Sequence, residues 1–205
     1  LKQAMQQDSV CLPKVTSYSS ILFAFEMAFQ QIQRQGSWHD LTPFGKGKQG
    51  IPINGLIWMG DYSFMYKQLE EKLKAGFRCI KIKIGNIDFE QEQALLKRIR
   101  RDFTASDVEL RLDANGAFSP HDALEKLHRL SEWQIHSIEQ PIAAGQWEQM
   151  ALLVQKSPIP IALDEELIGI YSSAEKKQLL QTIQPNYIIL KPSLHGGISG
   201  CSQWI

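Results

Sequence analysis

The sequence predicts an α/β fold, a (β/α)8 barrel of the TIM type, and three observations lead to this prediction. Six short apolar segments alternate with helical patterns from residue 50 onwards. Charged residues follow five of these segments at a regular spacing, no GxGxxG follows the first strand segment, and GxxxxGK[ST] does not occur. Alternating strands and helices indicate a parallel sheet, and the missing phosphate-binding motifs favour a barrel over a nucleotide-binding open sheet. Since a complete barrel has eight units, we expect an incomplete barrel of about six strands.

The N-terminal part of the chain has a different pattern. The segment SSILFAFEMAFQQIQ predicts an apolar helix of about fifteen residues, with Thr16 or Ser17 as its N-cap. Because this helix is apolar over most of its circumference, we expect it to be buried on more than one side. The following GSWHDLTPFGKGKQG predicts a linker or surface loop. We therefore expect one partial domain with its linker at residues 1–48 and the partial barrel at residues 49–205.

The barrel elements are predicted in order along the chain. The strand segments are IPINGLIWM, FRCIKIKIG, VELRLDANG, IHSIEQP, IPIALDE and YIILKPS. The helical segments between them are DYSFMYKQLEEKLKAG, DFEQEQALLKRIRRDF, SPHDALEKLHRLSEW, WEQMALLVQK and SSAEKKQLLQTI. We expect Ser119 to be the N-cap of the helical segment SPHDALEKLHRLSEW, and Gly76 to be the C-cap of DYSFMYKQLEEKLKAG.

The second strand carries two lysines that alternate with isoleucines. A period of two places Lys81 and Lys83 on one face of the strand and the isoleucines on the other. An exposed edge strand would explain such lysines, because lysine is common there. The central position of this strand in the series favours an interior face instead, where the lysines need a chemical role.

Composition and charge exclude several classes of protein. The chain has 22 basic and 22 acidic residues, which argues against nucleic acid or an anionic membrane as the main partner. It has three cysteines, which are far apart in the sequence: Cys11, Cys79 and Cys201. Because their number is odd and none are closely spaced, a disulfide framework or a zinc site is not expected and a reducing cytoplasm is favoured. No apolar run approaches the roughly 20 residues of a membrane span. We expect a cytoplasmic protein with a small-molecule partner, and an open barrel with unpaired edges should associate into homo-oligomers.

Charged residues at the strand ends form the central pattern of the sequence. Five consecutive strand segments, from the second to the sixth, end in a charged residue or just before one: Lys83, Asp113, Glu139, Asp164 and Lys191. The separations are 30, 26, 25 and 27 residues, each the length of one βα repeat. Because the carboxyl ends of parallel strands share one rim of a barrel, we expect these side chains to be neighbours.

Three carboxylates on adjacent strands suit a hard divalent cation such as Mg²⁺, with Mn²⁺ as an alternative. A metal-bound carboxylate substrate would present its α-carbon to a lysine on either side, and the metal would stabilise the enediolate. Lysine acts as a base only if its pKa falls, and Lys81 could supply the neighbouring cation that lowers it. Arg111 and Asn115 flank Asp113 and are further candidates for this site.

Simpler interpretations exist for several of these residues. A single acidic residue after a strand is often a helix cap or a turn residue. Lys191 alone would suit a Schiff-base aldolase, although three nearby carboxylates do not favour that chemistry. His195, beside two glycines, is expected to be incidental.

These motifs resemble the enolase superfamily, in its muconate-lactonizing-like subgroup with a KxK motif on the second strand. The resemblance covers about residues 50–200 and rests on KIK, DAN, IEQP, LDE and LKPS in this order. It implies that Asp113, Glu139 and Asp164 bind Mg²⁺, and that Lys83 and Lys191 are the acid/base lysines. The segment SYSSILFAFEMAFQQ is similar to the helical part of the family's N-terminal capping domain.

The resemblance also implies an activity. PINGLIWMGD, RLDANGAF and LKPSLHGG are most similar to members that dehydrate a cyclohexadiene carboxylate, which makes the protein a lyase. In such members Lys83 removes the α-proton and then protonates the leaving hydroxide, while Lys191 stabilises the enediolate by its charge and by a cation–π contact. The alternative within the family is a racemase of N-acylamino acids or a dipeptide epimerase. A non-enzyme alternative is an inactive, truncated barrel that binds metal without turnover.

Overall fold

The structure is a computed structural model that describes residues 18–33 and 42–205, so the predicted N-caps Thr16 and Ser17 lie outside the described residues. The strands are β1 (Gly55–Ile57), β2 (Cys79–Lys83), β3 (Glu109–Asp113), β4 (Ser137–Glu139), β5 (Ile161–Leu163) and β6 (Tyr187–Ile188). The helices are α1 (Ser19–Gln33), α2 (Tyr62–Lys74), α3 (Phe89–Asp102), α4 (Ala123–Ser131), α5 (Trp147–Lys156), α6 (Ser173–Ile183), α7 (Pro192–His195) and α8 (Gly197–Ser202). No helix among these residues is long and apolar enough to cross a membrane.

In the described part of the chain, six strands form one sheet in the order β1-β2-β3-β4-β5-β6. Every neighbouring pair is parallel, as βα units require. This sheet confirms the predicted α/β fold and is consistent with part of a (β/α)8 barrel. Because β2 lies between β1 and β3, the edge-strand interpretation of its lysines is wrong.

The two faces of β2 differ as the alternation predicts. The isoleucine face is fully buried, with Ile80, Ile82 and Ile84 no more than 2% exposed. Burial of each such side chain contributes about 1.5–3 kcal/mol relative to leaving it in water. Lys81 and Lys83 are half-buried on the opposite face. The register of the sheet aligns Lys83 with Asp113, and Asp113 with Glu139 on the next strand.

Helix ends agree with the sequence in one case and differ in another. Gly76, with φ +85°, follows the end of α2 as predicted, because glycine adopts this left-handed backbone without strain. Helix α4 begins at Ala123, after Asp122, which is later than an N-cap at Ser119 predicts. Ser119 nevertheless makes the contacts of an N-cap, since its Oγ accepts from Asp122 N–H at 3.4 Å and its carbonyl accepts from Ala123 N–H at 3.0 Å. The Ser119 hydroxyl also donates to Asp122 Oδ1 at 2.7 Å.

The chain forms two compact units. One comprises residues 50–166 and 179–189 and contains the whole sheet. The other comprises the described residues up to 49 together with 167–178 and 190–205, and in it α1 packs on α7 and α8. The predicted boundary between residues 48 and 49 stays a prediction.

Burial of α1 differs from the sequence expectation. The helix has the predicted bounds, but Ser19 is its one buried residue in the structure. Four large apolar residues are between 38% and 53% exposed: Ile21, Phe25, Phe29 and Ile32. The prediction that α1 is buried on more than one side is therefore wrong, because the contacts to α7 and α8 cover only part of its circumference.

Candidate active site

Three buried carboxylates meet where adjacent strands end. Asp113 and Glu139 are the last residues of β3 and β4, and Asp164 directly follows β5. Each is at most 4% exposed. One ligand oxygen from each lies within 4.8 Å of the other two. The parallel strands therefore bring together the three acidic residues that the spacing singled out.

Lys81 joins two of these carboxylates. Its Nζ lies 2.9 Å from Asp113 Oδ2 and also donates to Glu139 Oε2. Burial alone would lower the pKa of Lys81, but the hydrogen bonds to the two carboxylates outweigh it and raise the pKa above its ordinary value. Lys81 is therefore a protonated partner of the acidic cluster.

Lys83 lies one step nearer the rim than Lys81. Its Nζ donates to Asp113 Oδ2 at 2.8 Å and to Asn115 Oδ1 at 2.7 Å. The ammonium group also lies 5.5 Å from the centre of the Trp58 ring, a cation–π distance. Lys81 and Lys83 thus share one carboxylate oxygen, and the side chain of Lys83 is only 14% exposed.

Asn115 connects Lys83 to a further carboxylate. Its amide group donates to Glu165 Oε1 at 2.7 Å, and its backbone N–H donates to Asp113 Oδ1 at 3.1 Å. Asn115 adopts a left-handed backbone with φ +45°, which turns its side chain back to the end of β3. The structure therefore places Asn115 at the site, in contact with Lys83.

Sequence reasoning missed Trp58 and Glu165. Trp58 directly follows β1, and its backbone N–H and C=O both bind the side-chain amide of Gln68 at 2.9 Å. The signal for Trp58 is its position at the end of the first strand, but only charged residues at strand ends were considered. Glu165 follows Asp164 directly, and its role becomes visible only through its contact with Asn115.

The carboxylates differ in their electrostatic surroundings. Burial opposes ionisation of Asp113, yet the hydrogen bonds from Lys83 and Lys81 hold its pKa below the ordinary value. Burial raises the pKa of Glu139, and the Asp113 and Asp164 carboxylates add to this rise. The ammonium of Lys81 opposes the rise without cancelling it.

The remaining predicted residues lie elsewhere. Arg111 Nε donates to Glu109 Oε1 at 2.7 Å, two residues back along β3 and away from the rim. Lys191 lies in the other compact unit, where its backbone carbonyl accepts from the N–H groups of Leu194 and His195. Its place beside the carboxylates stays a prediction. The His195 ring is 2% exposed and packs edge-on against Trp204, which favours a structural role.

The donor set fits a hard divalent cation. It consists of carboxylate oxygens, which Mg²⁺ and Mn²⁺ prefer, and it excludes the soft sulfur and imidazole ligands typical of zinc. Lys81 pairs with Asp113 and Glu139, and Lys83 pairs with Asp113. The oxygens of the three buried carboxylates lie close enough together to coordinate one divalent cation.

The fold and this site define a barrel protein with acidic residues at the strand ends, and the comparison with known families agrees. Residues 65–205 match the enolase C-terminal domain-like family, and the chain belongs to this family.

Two curated relatives and one solved structure make the similarity more specific. The chain is 50% identical over 190 residues to the o-succinylbenzoate synthase of Desulfotalea psychrophila. The aligned residues cover 92% of this chain and 51% of that protein. The crystal structure of MenC from the same organism superposes with a TM-score of 0.85 at 46% identity, and the match covers 98% of this chain and 56% of that one. The L-Ala-D/L-Glu epimerase of Bacillus subtilis is 30% identical over 68% of this chain and 37% of its own length. The chain therefore spans about half the length, or less, of these relatives.

Proposed function

We propose that the protein is a Mg²⁺-dependent lyase with the activity of an o-succinylbenzoate synthase, acting in the cytoplasm in menaquinone biosynthesis. The reaction would dehydrate a cyclohexadiene carboxylate to an aromatic product. One observation carries the proposal: the Lys83 ammonium is held 2.8 Å from a carboxylate of the buried acidic cluster. The 50% identity to the Desulfotalea enzyme supports this substrate over others in the family.

The acidic cluster would hold the metal ion. Asp113, Glu139 and Asp164 supply its oxygen ligands, and Mn²⁺ can replace Mg²⁺ at such a site. When bound, the ion supplies positive charge to the substrate carboxylate and to the charge that develops on it. The contacts of Lys81 with two of the ligands hold their charge and orientation.

Lys83 would perform both proton transfers. In its neutral form it accepts the α-proton as the C–H bond breaks, and the resulting ammonium then protonates the leaving hydroxide to form water. Asn115 and Asp113 hold the Lys83 nitrogen at the rim, and the Trp58 ring covers one side of it. Lys191 would stabilise the charged intermediate from the opposite side without changing its own protonation.

A second candidate function is epimerisation of a dipeptide or racemisation of an N-acylamino acid. The similarity to the Bacillus subtilis L-Ala-D/L-Glu epimerase favours it. In this case Lys83 and Lys191 would exchange protons on opposite faces of one α-carbon. Both lysines would then incorporate solvent deuterium at the α-carbon of the substrate. Replacement of either lysine by alanine would abolish this exchange on one face only, and that result would support this function over dehydration.

The test is an assay of the purified protein with the cyclohexadiene carboxylate and a dipeptide panel, with and without Mg²⁺. We expect formation of the aromatic product, loss of this activity on chelation and its return with Mg²⁺ or Mn²⁺. Turnover of dipeptides alone would overturn the dehydratase assignment. Metal binding without turnover of any substrate would favour the non-enzyme alternative.

A further inference from the structure

A buried glutamine lies directly beside the acidic cluster. Gln140 follows Glu139 at the end of β4 and is 0% exposed. Its φ of +39° is in the left-handed region, which is unfavourable for a residue other than glycine. Such a conformation persists where the surroundings determine it, and it is common at functional sites.

The side chain of Gln140 uses its full hydrogen-bonding capacity. The oxygen Oε1 accepts from the backbone N–H groups of Asp164 at 3.2 Å and Glu166 at 3.1 Å. The nitrogen Nε2 donates to Ile142 O and to Glu166 Oε2, both at 3.0 Å. A buried amide with two acceptor and two donor contacts has one orientation, because reversing it would break all four.

Glu166 fixes that orientation. Its carboxylate is 4% exposed, and it accepts from Gln140 through Oε2 and from the backbone N–H of Gly145 through Oε1 at 2.7 Å. Since the carboxylate only accepts, it selects the donor end of the glutamine amide. The acceptor end must then point to the backbone of Asp164.

Gln140 thereby contacts the backbone behind each acidic residue. It adjoins Glu139 in the chain, and its side chain holds the N–H of Asp164. Its own carbonyl accepts from Gly116 N–H at 2.7 Å, in the turn that follows Asp113. One buried residue therefore links the ends of β3, β4 and β5.

We propose that Gln140 is a positioning residue that sets the separation of the three carboxylates for metal binding, and that Glu166 orients it. This inference rests on the metal site of the proposed function and is independent of the substrate. Groups that orient metal ligands from behind typically change metal affinity by about 10–100-fold when they are removed.

The test measures Mn²⁺ affinity directly, from the electron paramagnetic resonance signal of free Mn²⁺ during titration of the purified protein. We expect Gln140→Ala to weaken Mn²⁺ binding by about tenfold or more. The matched control is Gln134→Ala, because Gln134 has the same left-handed backbone, with φ +51°, but is exposed. The control should bind Mn²⁺ as the unaltered protein does, and thermal unfolding would show whether each variant is folded.

A compensating pair of substitutions separates positioning from general damage. Gln140→Glu places two carboxylates against each other and should weaken Mn²⁺ binding. Adding Glu166→Gln restores a donor and an acceptor to this contact, while Ile142 O still lacks its donor, so the affinity should recover in part. Unaltered affinity in Gln140→Ala, or no recovery in the double variant, would overturn the proposal, and the double variant decides if Gln140→Ala does not fold.

The same titration distinguishes this inference from the proposed function. If the unaltered protein binds no Mn²⁺, both fail. If it binds Mn²⁺ in a Gln140-dependent manner but does not dehydrate the cyclohexadiene carboxylate, the proposed function alone fails.

Discussion

Lys83 donates a hydrogen bond to Asp113 across two adjacent strands, with Nζ 2.8 Å from Oδ2. The sheet register places the two residues opposite each other at the ends of β2 and β3. A slip of either strand by one residue would turn its own side chain to the other face of the sheet and separate the pair, since successive residues of a strand alternate. The proposed base and a proposed metal ligand therefore depend on the same strand pairing.

Replacement of Lys83 should remove proton transfer. We expect Lys83→Ala to lower the dehydration rate by about 10²–10⁴-fold, which is the usual contribution of a general base. The measurement is formation of aromatic product at saturating substrate. Lys74→Ala, at an exposed lysine of α2, is the control and should keep full activity. An unchanged rate in Lys83→Ala would rule out Lys83 as the base.

Replacement of Asp164 should weaken metal binding. Asp164→Asn keeps the size of the side chain but removes one of three ligand charges, and we expect Mn²⁺ affinity to fall by at least about tenfold. Calorimetric titration measures this change. Glu148→Gln, at an exposed carboxylate of α5, is the control for loss of one negative charge. Equal affinity in Asp164→Asn would exclude this carboxylate as a ligand.

Cys79 should react with alkylating reagents only in strongly alkaline solution. Burial raises the pKa of its thiol to about 11, and the neighbouring Glu109 contributes to the rise while Arg111 opposes it. Peptide mass spectrometry after iodoacetamide treatment at increasing pH should therefore give a midpoint near 11. Glu109→Gln should lower this midpoint, whereas Glu132→Gln, at an exposed residue, should not. Rapid labelling of Cys79 near neutral pH would contradict the prediction.

The same thiol should affect stability in alkaline solution. Its pKa is 9.0 when unperturbed and about 11 in the folded protein, so between these values the unfolded chain loses the proton first. Stability from this group is complete below pH 9 and decreases as the pH rises towards 11. Denaturant unfolding at a series of pH values gives the free energy of unfolding of the unaltered protein and of Cys79→Ser. The stability of the unaltered protein relative to Cys79→Ser should decrease over this pH range. A pH-independent difference would show that the thiol does not titrate as proposed.

Arg100 should stabilise the connections around β3 through backbone contacts. Its guanidinium donates to four carbonyls, at 2.7–3.3 Å: Thr104, Val108, Trp133 and Gln134. Lysine cannot reproduce this planar set of donors, so Arg100→Lys should lower the free energy of unfolding by about 1–3 kcal/mol. Arg101→Lys, at the neighbouring residue with a 67% exposed side chain, is the matched control and should change it by less than about 0.5 kcal/mol. Equal effects of the two substitutions would contradict this role for Arg100.

Most of the sheet could be predicted because its signals are local. Alternating isoleucine and lysine identify β2, and the repeat spacing orders the strands without any tertiary information. The acidic residues could be placed together for the same reason, since parallel strands put their carboxyl ends on one rim. The burial of α1 could not be predicted, because its apolar composition does not show which surfaces are available to cover it.

The sequence by itself determined the fold class, the strand order and the residues that end each strand. The tertiary structure decided the side-chain contacts at the site: the hydrogen bonds of Lys83 to Asp113 and Asn115, and the amide of Gln140 behind the carboxylates. These contacts join residues that are 24 to 32 positions apart. Their geometry depends on register and rotamer, which no local pattern records, whereas alternation and repeat length are properties of the chain itself.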